Sequence, residues 1–179
     1  MASQAFSVSC ELPASVAEAY QQLTDEAFIC ASYAGREGVA LAVCPTATGH
    51  DVSVSRPVGP QLAGPGLRLN LRQQWRERKS DGDDNDNGKV ARVCYQLLGP
   101  GLSIRTPASL ASPLRIDGEM RLVANGGAAT LSAELSARIS VPLSGSAAVN
   151  KLAAIARDKV AADVEYQREA LASKHIAPN

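Results

Sequence analysis

Residues 128–141 read AATLSAELSARISV, an almost strict alternation of apolar and polar side chains. Successive residues of a strand point to opposite faces, so this stretch predicts a strand with one buried and one wet face. Pro142-Leu143-Ser144-Gly145 interrupts the pattern, and residues 147–173 then follow a helical period. At roughly 100° per residue, Val149, Leu152, Ala153, Ala156, Val160, Val164 and Leu171 share one arc, and Lys151, Asp158, Glu165 and Glu169 lie opposite. A half-wet antiparallel strand feeding a long amphipathic helix predicts a sheet covered on one face by that helix. Burying the five larger aliphatics, at roughly 1.5–3 kcal/mol each, is enough to hold it there. The inner side of the helix is rich in small residues, Ala153, Ala156 and Ala170. A concave sheet facing such a helix predicts a cavity between them.

The same alternation recurs upstream. Residues 5–12 place Phe6, Val8, Cys10 and Leu12 on one face, and Pro13 ends the strand. Ser15-x-x-Glu18 is a capping box that opens a short helix bearing Val16, Ala19, Tyr20 and Leu23. A second short helix holds Phe28, Ile29 and Tyr33. Strands follow at 39–44, 51–55, 67–78, 89–98 and 114–124, with Gly118 expected to mark a bulge and Asn125-Gly126-Gly127 a hairpin turn. Residues 56–66 and 99–113 are Pro/Gly loops, the second with room for a short strand at 102–105, and 80–88 is a polar hairpin tip. Strands in series joined by short turns are antiparallel. The 179 residues are expected to form one domain, 1–179, of the α+β class.

Composition narrows the function. Eighteen Lys and Arg balance eighteen Asp and Glu, which argues against a nucleic-acid binder. No run of apolar residues is long enough to span a bilayer, so no integral membrane association is expected. The first residues carry no basic segment followed by an apolar run, and a cytoplasmic protein is expected. Cys10, Cys30, Cys44 and Cys94 are far apart in sequence and are expected as buried thiols rather than zinc ligands. Asp83-x-Asn85-x-Asn87-Gly88 matches half of a calcium loop, but Cys94 stands where a bidentate Glu is needed, so the stretch reads as a turn. Arg68, Arg72 and Arg76 share a polar strand face, where Asp117, Glu119 and Glu134 are expected to pair with them. His50 and His175 are the only histidines, and no hydrolase, metalloprotease or phosphate-loop motif occurs. No catalytic residue, cofactor or metal is assigned.

Phe6-x-Val8, Glu11-Leu12-Pro13 and Ala17-x-x-Tyr20-x-x-Leu23-Thr24-Asp25 form one block, and Gly118-x-Met120-Arg121-Leu122 with Ile139-x-Val141-Pro142-Leu143-x-Gly145 and the long helix form another. This order resembles the helix-grip fold of the START and birch-pollen-allergen (SRPBCC) superfamily. Within it, the two blocks resemble an actinobacterial family, domain of unknown function 2505. The resemblance implies a curved antiparallel sheet of about seven strands wrapped around the C-terminal helix, with two short helices after the first strand and a pocket between sheet and helix. It implies a hydrophobic small molecule or lipid as partner. The ligand-binding candidates are Trp75, Tyr95, Met120, Leu152, Ala156, Val160, Asp163 and Gln167.

Four of these admit a second reading. Asp163 could instead lean out to Lys159, and Gln167 could sit near the helix end. Trp75, Tyr95 and Gln73, on the inward strand face, are either pocket or core. The expected function is non-enzymatic binding of the apolar molecule. The alternatives are a cyclase- or hydratase-like activity in the same pocket, for instance through Asp163 with Tyr95, and a protein-interaction module using the outer sheet face.

Overall fold

Seven strands form one antiparallel sheet in the order β1-β7-β6-β5-β4-β3-β2 in the computed structural model, which describes residues 2–33, 37–57, 68–77, 88–139 without 99–113, and 146–176. The strands are β1 (Ala2–Leu12), β2 (Ala40–Thr46), β3 (Gly49–Pro57), β4 (Arg68–Glu77), β5 (Lys89–Leu98), β6 (Leu114–Asn125) and β7 (Ala128–Ile139). Two short helices, α1 (Val16–Leu23) and α2 (Glu26–Ser32), separate β1 from β2, and α3 (Ser146–Ile176) closes the chain. Of the loop expected at 56–66, residues 56–57 belong to β3 and the rest lies outside the described residues, as do 99–113, the short strand at 102–105 and most of the calcium-like turn.

Each inward strand face carries the apolar half of its alternation. Val52 and Val54 of β3, Trp75 of β4, Ala91, Val93 and Tyr95 of β5, and Ile116, Met120 and Leu122 of β6 are buried. Ala129, Leu131, Ala133, Leu135 and Ala137 complete the face on β7. Strand β1 pairs with β7 along its whole length, Leu12 opposite Ala129 and Phe6 opposite Leu135. Helix α3 lies along β1 and β7. It buries Ala153, Val160, Val164 and Leu171, four residues of the predicted arc.

Helix α1 starts at the predicted capping box. The Glu18 amide donates to Ser15 Oγ at 3.3 Å, and the Ser15 amide donates to Glu18 Oε2 at 2.9 Å. Asp25 caps α2 by accepting from the Phe28 amide at 2.7 Å. Two successive caps, each satisfying free amides, let two helices of about two turns form back to back. They pack Val16, Ala19, Leu23 and Ile29 against the sheet end.

Three expectations are corrected. Gly118 is not a bulge: the register runs through it unbroken, opposite Val93 on one side and Leu135 on the other. Its missing side chain instead lets the β7 backbone come close, since a Cβ there would meet the Glu134 carbonyl oxygen and Leu135. The arginines do not pair across strands with the β6 acids. Arg115 takes Asp117 and Arg121 takes Glu119, both at 2.7 Å and two residues along the same face. Arg68 reaches Ser55 Oγ at 2.8 Å and the Ser55 carbonyl at 2.9 Å, which buries Ser55 on the outer face. The cysteines are not core thiols: Cys30 and Cys44 are exposed, because they project from the outer sides of α2 and of the edge strand β2.

Cys94 and Cys10 are half-buried. Burial, with the Asp117 carboxylate beside it, pushes the Cys94 thiol up from 9.0 to about 11. A thiol whose pKa is raised by folding stays neutral in the folded chain after the unfolded chain has ionised. Stability from this group is therefore intact below pH 9.0 and drains away as pH rises toward about 11. With a thiol-specific disulfide reagent at pH 8, Cys30 and Cys44 should react first and Cys94 much more slowly, with unfolding by urea erasing the difference. Equal rates for all four in the folded protein would contradict this.

Candidate functional site

A cavity of about 210 Å³ lies between the inward sheet face, the two short helices and α3. The sheet supplies Val52, Val54, Leu71, Gln73, Tyr95, Met120 and Leu131. Helix α3 supplies Val160, Ala162, Asp163, Val164, Tyr166 and Gln167. A further side is bordered by Leu23 from α1, by Ile29 and Ser32 from α2 and by Tyr33 at the C-cap of α2. Phe28 packs against Tyr166 with ring centroids 6.0 Å apart, tying α2 to α3 beside the cavity.

Of the residues singled out from sequence, Tyr95, Met120, Val160, Asp163 and Gln167 come together around this space. Trp75 does not border it. Its indole is 1 % exposed and stands edge-on to Tyr20, with centroids 5.8 Å apart. Leu152 and Ala156 belong to α3, but their side chains lie outside the described residues.

The periodicity of α3 accounts for Asp163 and Gln167. They are four residues apart, hence one above the other, and they flank the buried Val160 and Val164 on the side turned to the sheet. Gln167 is not at a frayed end, because α3 runs on to Ile176.

The cavity's polar groups are held from behind. Trp75 Nε1 donates to Gln73 Oε1 at 3.1 Å. Gln22 of α1, itself buried, donates from Nε2 to the Gln167 carbonyl at 3.3 Å and to Gln167 Oε1 at 3.4 Å. Gln22 Oε1 has no partner among the described residues. Next to Trp75, Tyr20 Oη lies 2.9 Å from His50 Nδ1, and Lys89 Nζ sits 5.0 Å from the Tyr20 ring centre while pairing with Glu77 at 2.9 Å. Burial, with Glu77 nearby, raises the Tyr20 phenol. His50 is thus engaged with Tyr20 and not with Cys44, whose strand partner is Asp51.

Sequence reading did not single out Gln22, Leu23, Ile29, Ser32, Tyr33 or Tyr166 for this site. A signal existed for Gln22 alone. It follows Ala19 by three residues and so borders the apolar side of α1, an odd place for an uncharged amide.

No known protein-family model matches the chain, and no curated protein sequence matches it. Solved structures do. TTHA0849 from Thermus thermophilus is 10 % identical with a TM-score of 0.59, over 96 % of this chain and 99 % of that one. The Zhui aromatase/cyclase from Streptomyces sp. R1128 is 12 % identical with a TM-score of 0.53, over 98 % of both. Norcoclaurine synthase from Thalictrum flavum, solved with dopamine and hydroxybenzaldehyde, is 9 % identical with a TM-score of 0.52, over 99 % of this chain and 90 % of its own. At such identities the likeness establishes architecture alone: this chain has a helix-grip fold, an antiparallel sheet packed against a long C-terminal helix. Among the described residues, no helix is long and apolar enough to cross a membrane.

Proposed function

We propose that this protein binds a compact hydrophobic molecule between the sheet and α3 and does no chemistry on it. The observation that carries the reading is the cavity of about 210 Å³, walled by aliphatic side chains from the sheet and all three helices and bordered by polar ones such as Gln73, Asp163 and Gln167. Concave apolar space with sparse, positioned polar groups is the usual make-up of a ligand site. Its size sits below the roughly 300–1,000 Å³ common for drug-sized ligands. That favours a molecule of one or two fused rings over a long-chain lipid. Tyr95, Met120, Val160, Asp163 and Gln167 would contact it. Kinship to domain of unknown function 2505 is part of the same proposal, on the strength of the two sequence blocks. Four free thiols among the described residues suit a reducing, cytoplasmic setting.

The test is direct. Native mass spectrometry of protein purified from its source should reveal a co-purifying apolar compound. Val160→Phe projects a larger ring into the cavity, and should lower the affinity for 1-indanone at least tenfold by calorimetry while leaving the circular dichroism spectrum unchanged. Undiminished binding by a folded Val160→Phe protein would remove the cavity as the site.

A further inference from the structure

We infer that the cavity selects an apolar ligand bearing a carbonyl-type acceptor oxygen, because its two lining glutamines are locked with their amino groups as the free ends. This deepens, and rests on, the binding function proposed above.

A carboxamide can ordinarily turn over and offer either its oxygen or its amino group. Neither Gln73 nor Gln167 has that freedom. The indole Nε1 of Trp75 is a donor and nothing else, so the Gln73 atom 3.1 Å from it must be the oxygen. The second case needs one more step. Gln22 faces the backbone carbonyl of Gln167, an obligate acceptor, so the Gln22 atom 3.3 Å away must be its amino nitrogen. That same nitrogen lies 3.4 Å from the end of the Gln167 side chain, which must therefore be oxygen too, since two amino groups would repel.

Trp75 and Gln22 are not among the residues that line the cavity, whereas Gln73 and Gln167 are. Each oxygen is thus drawn away from the space, and each amino group is the end left for it. Among the described residues neither amino group has another partner.

The remaining polar groups of the lining are less selective. Ser32 already donates to the Phe28 carbonyl at 3.0 Å. The phenols of Tyr33, Tyr95 and Tyr166 can donate or accept a hydrogen bond by rotating, and Tyr33 and Tyr95 have partners already. Asp163 has a partner of its own. The two amides, one on β4 and one on α3, are the donors of fixed sense. Between them they ask for oxygen lone pairs and reward no ligand N–H or O–H.

The experiment compares 1-indanone with indane, bicyclic probes that differ in one carbonyl. Calorimetry on the wild-type protein should show 1-indanone binding about three- to tenfold more tightly, the worth of one neutral hydrogen bond. Gln73→Glu and Gln167→Glu keep an oxygen for Trp75 or Gln22 but turn the free end into an acceptor. At least one should lose the preference, and the double variant Gln73→Leu/Gln167→Leu should bind both probes alike. The Glu pair keeps the question answerable if the Leu pair fails to fold. Equal, measurable binding of both probes to wild type would overturn the donor assignment and leave the cavity standing. A preference retained in both Glu variants and in the double variant would also overturn it. Binding of neither probe would bring down the binding function, and this inference with it.

Discussion

Trp75→Ala should lower the unfolding free energy by about 3–5 kcal/mol, the range for deleting a large aromatic from a packed interior. The indole is 1 % exposed, stands edge-on to Tyr20 at 5.8 Å and 74°, and sits between His50 and Ala91 in the strand register. Truncation opens a void among these groups and strips Gln73 Oε1 of its donor. Against a typical total of about 5–15 kcal/mol, the loss takes a fifth or more of the stability. Because Trp75 is the only tryptophan, unfolding in urea is best followed by far-ultraviolet circular dichroism. Trp75→Phe should fall between, keeping the ring contact with Tyr20 and losing the N–H. A loss under about 1 kcal/mol for alanine would mean that the sheet end collapses readily onto the gap, contrary to close packing there.

Gly118→Ala should be nearly as damaging, about 3 kcal/mol, although it adds one methyl group. The new Cβ would fall on the Glu134 carbonyl oxygen and 2.8 Å from Leu135 Cα. Both are backbone, so no rotamer change relieves the contact, and β6 and β7 must part where they are paired. Gly126→Ala is the informative comparison. Nothing stands within 4 Å of a Cβ there, and the penalty is only that of a side chain at φ +58°. That is about 1–2 kcal/mol. If Gly118→Ala proves milder than Gly126→Ala in the same urea assay, the close approach of β7 is not what the glycine serves.

These two positions show what one-dimensional patterning conveys and what it does not. The alternations in 128–141 and 5–12 give β7 and β1 almost residue for residue, because a half-wet strand writes its face into every second position. The Ser15–Glu18 box gives the start of α1, because a cap is a local hydrogen-bond problem with a local answer. Gly118 was visible as an exception but not its cause: a lone glycine in a strand signals either a bulge or a close neighbour, and the neighbour is Leu135, seventeen positions away.

The site follows the same division. The arc of α3 brings Val160, Asp163 and Gln167 to one side, since helical phase is a local property. Gln22, 145 residues from Gln167, meets it only through the docking of α1 on α3. Nothing near either residue in the chain announces that contact. Trp75 and Gln73 share a strand face at alternate positions, yet one borders the cavity and the other stops short of it. The difference is made by Tyr20 and His50 closing over the indole.

The pairing of β1 with β7 also bears on the order of assembly during synthesis. Strands β2 to β6 meet partners that are neighbours in the chain, but Ala2–Leu12 finds its own only in Ala128–Ile139. A ribosome therefore releases the earliest strand long before the latest one exists. The meander can zip up meanwhile, whereas the opening segment must wait with Phe6, Val8 and Cys10 uncovered. Joining the first strand to the last requires closing a loop of more than a hundred residues, a slow step for topological reasons. In the cell, that interval is when a nascent-chain chaperone would have the most to hold.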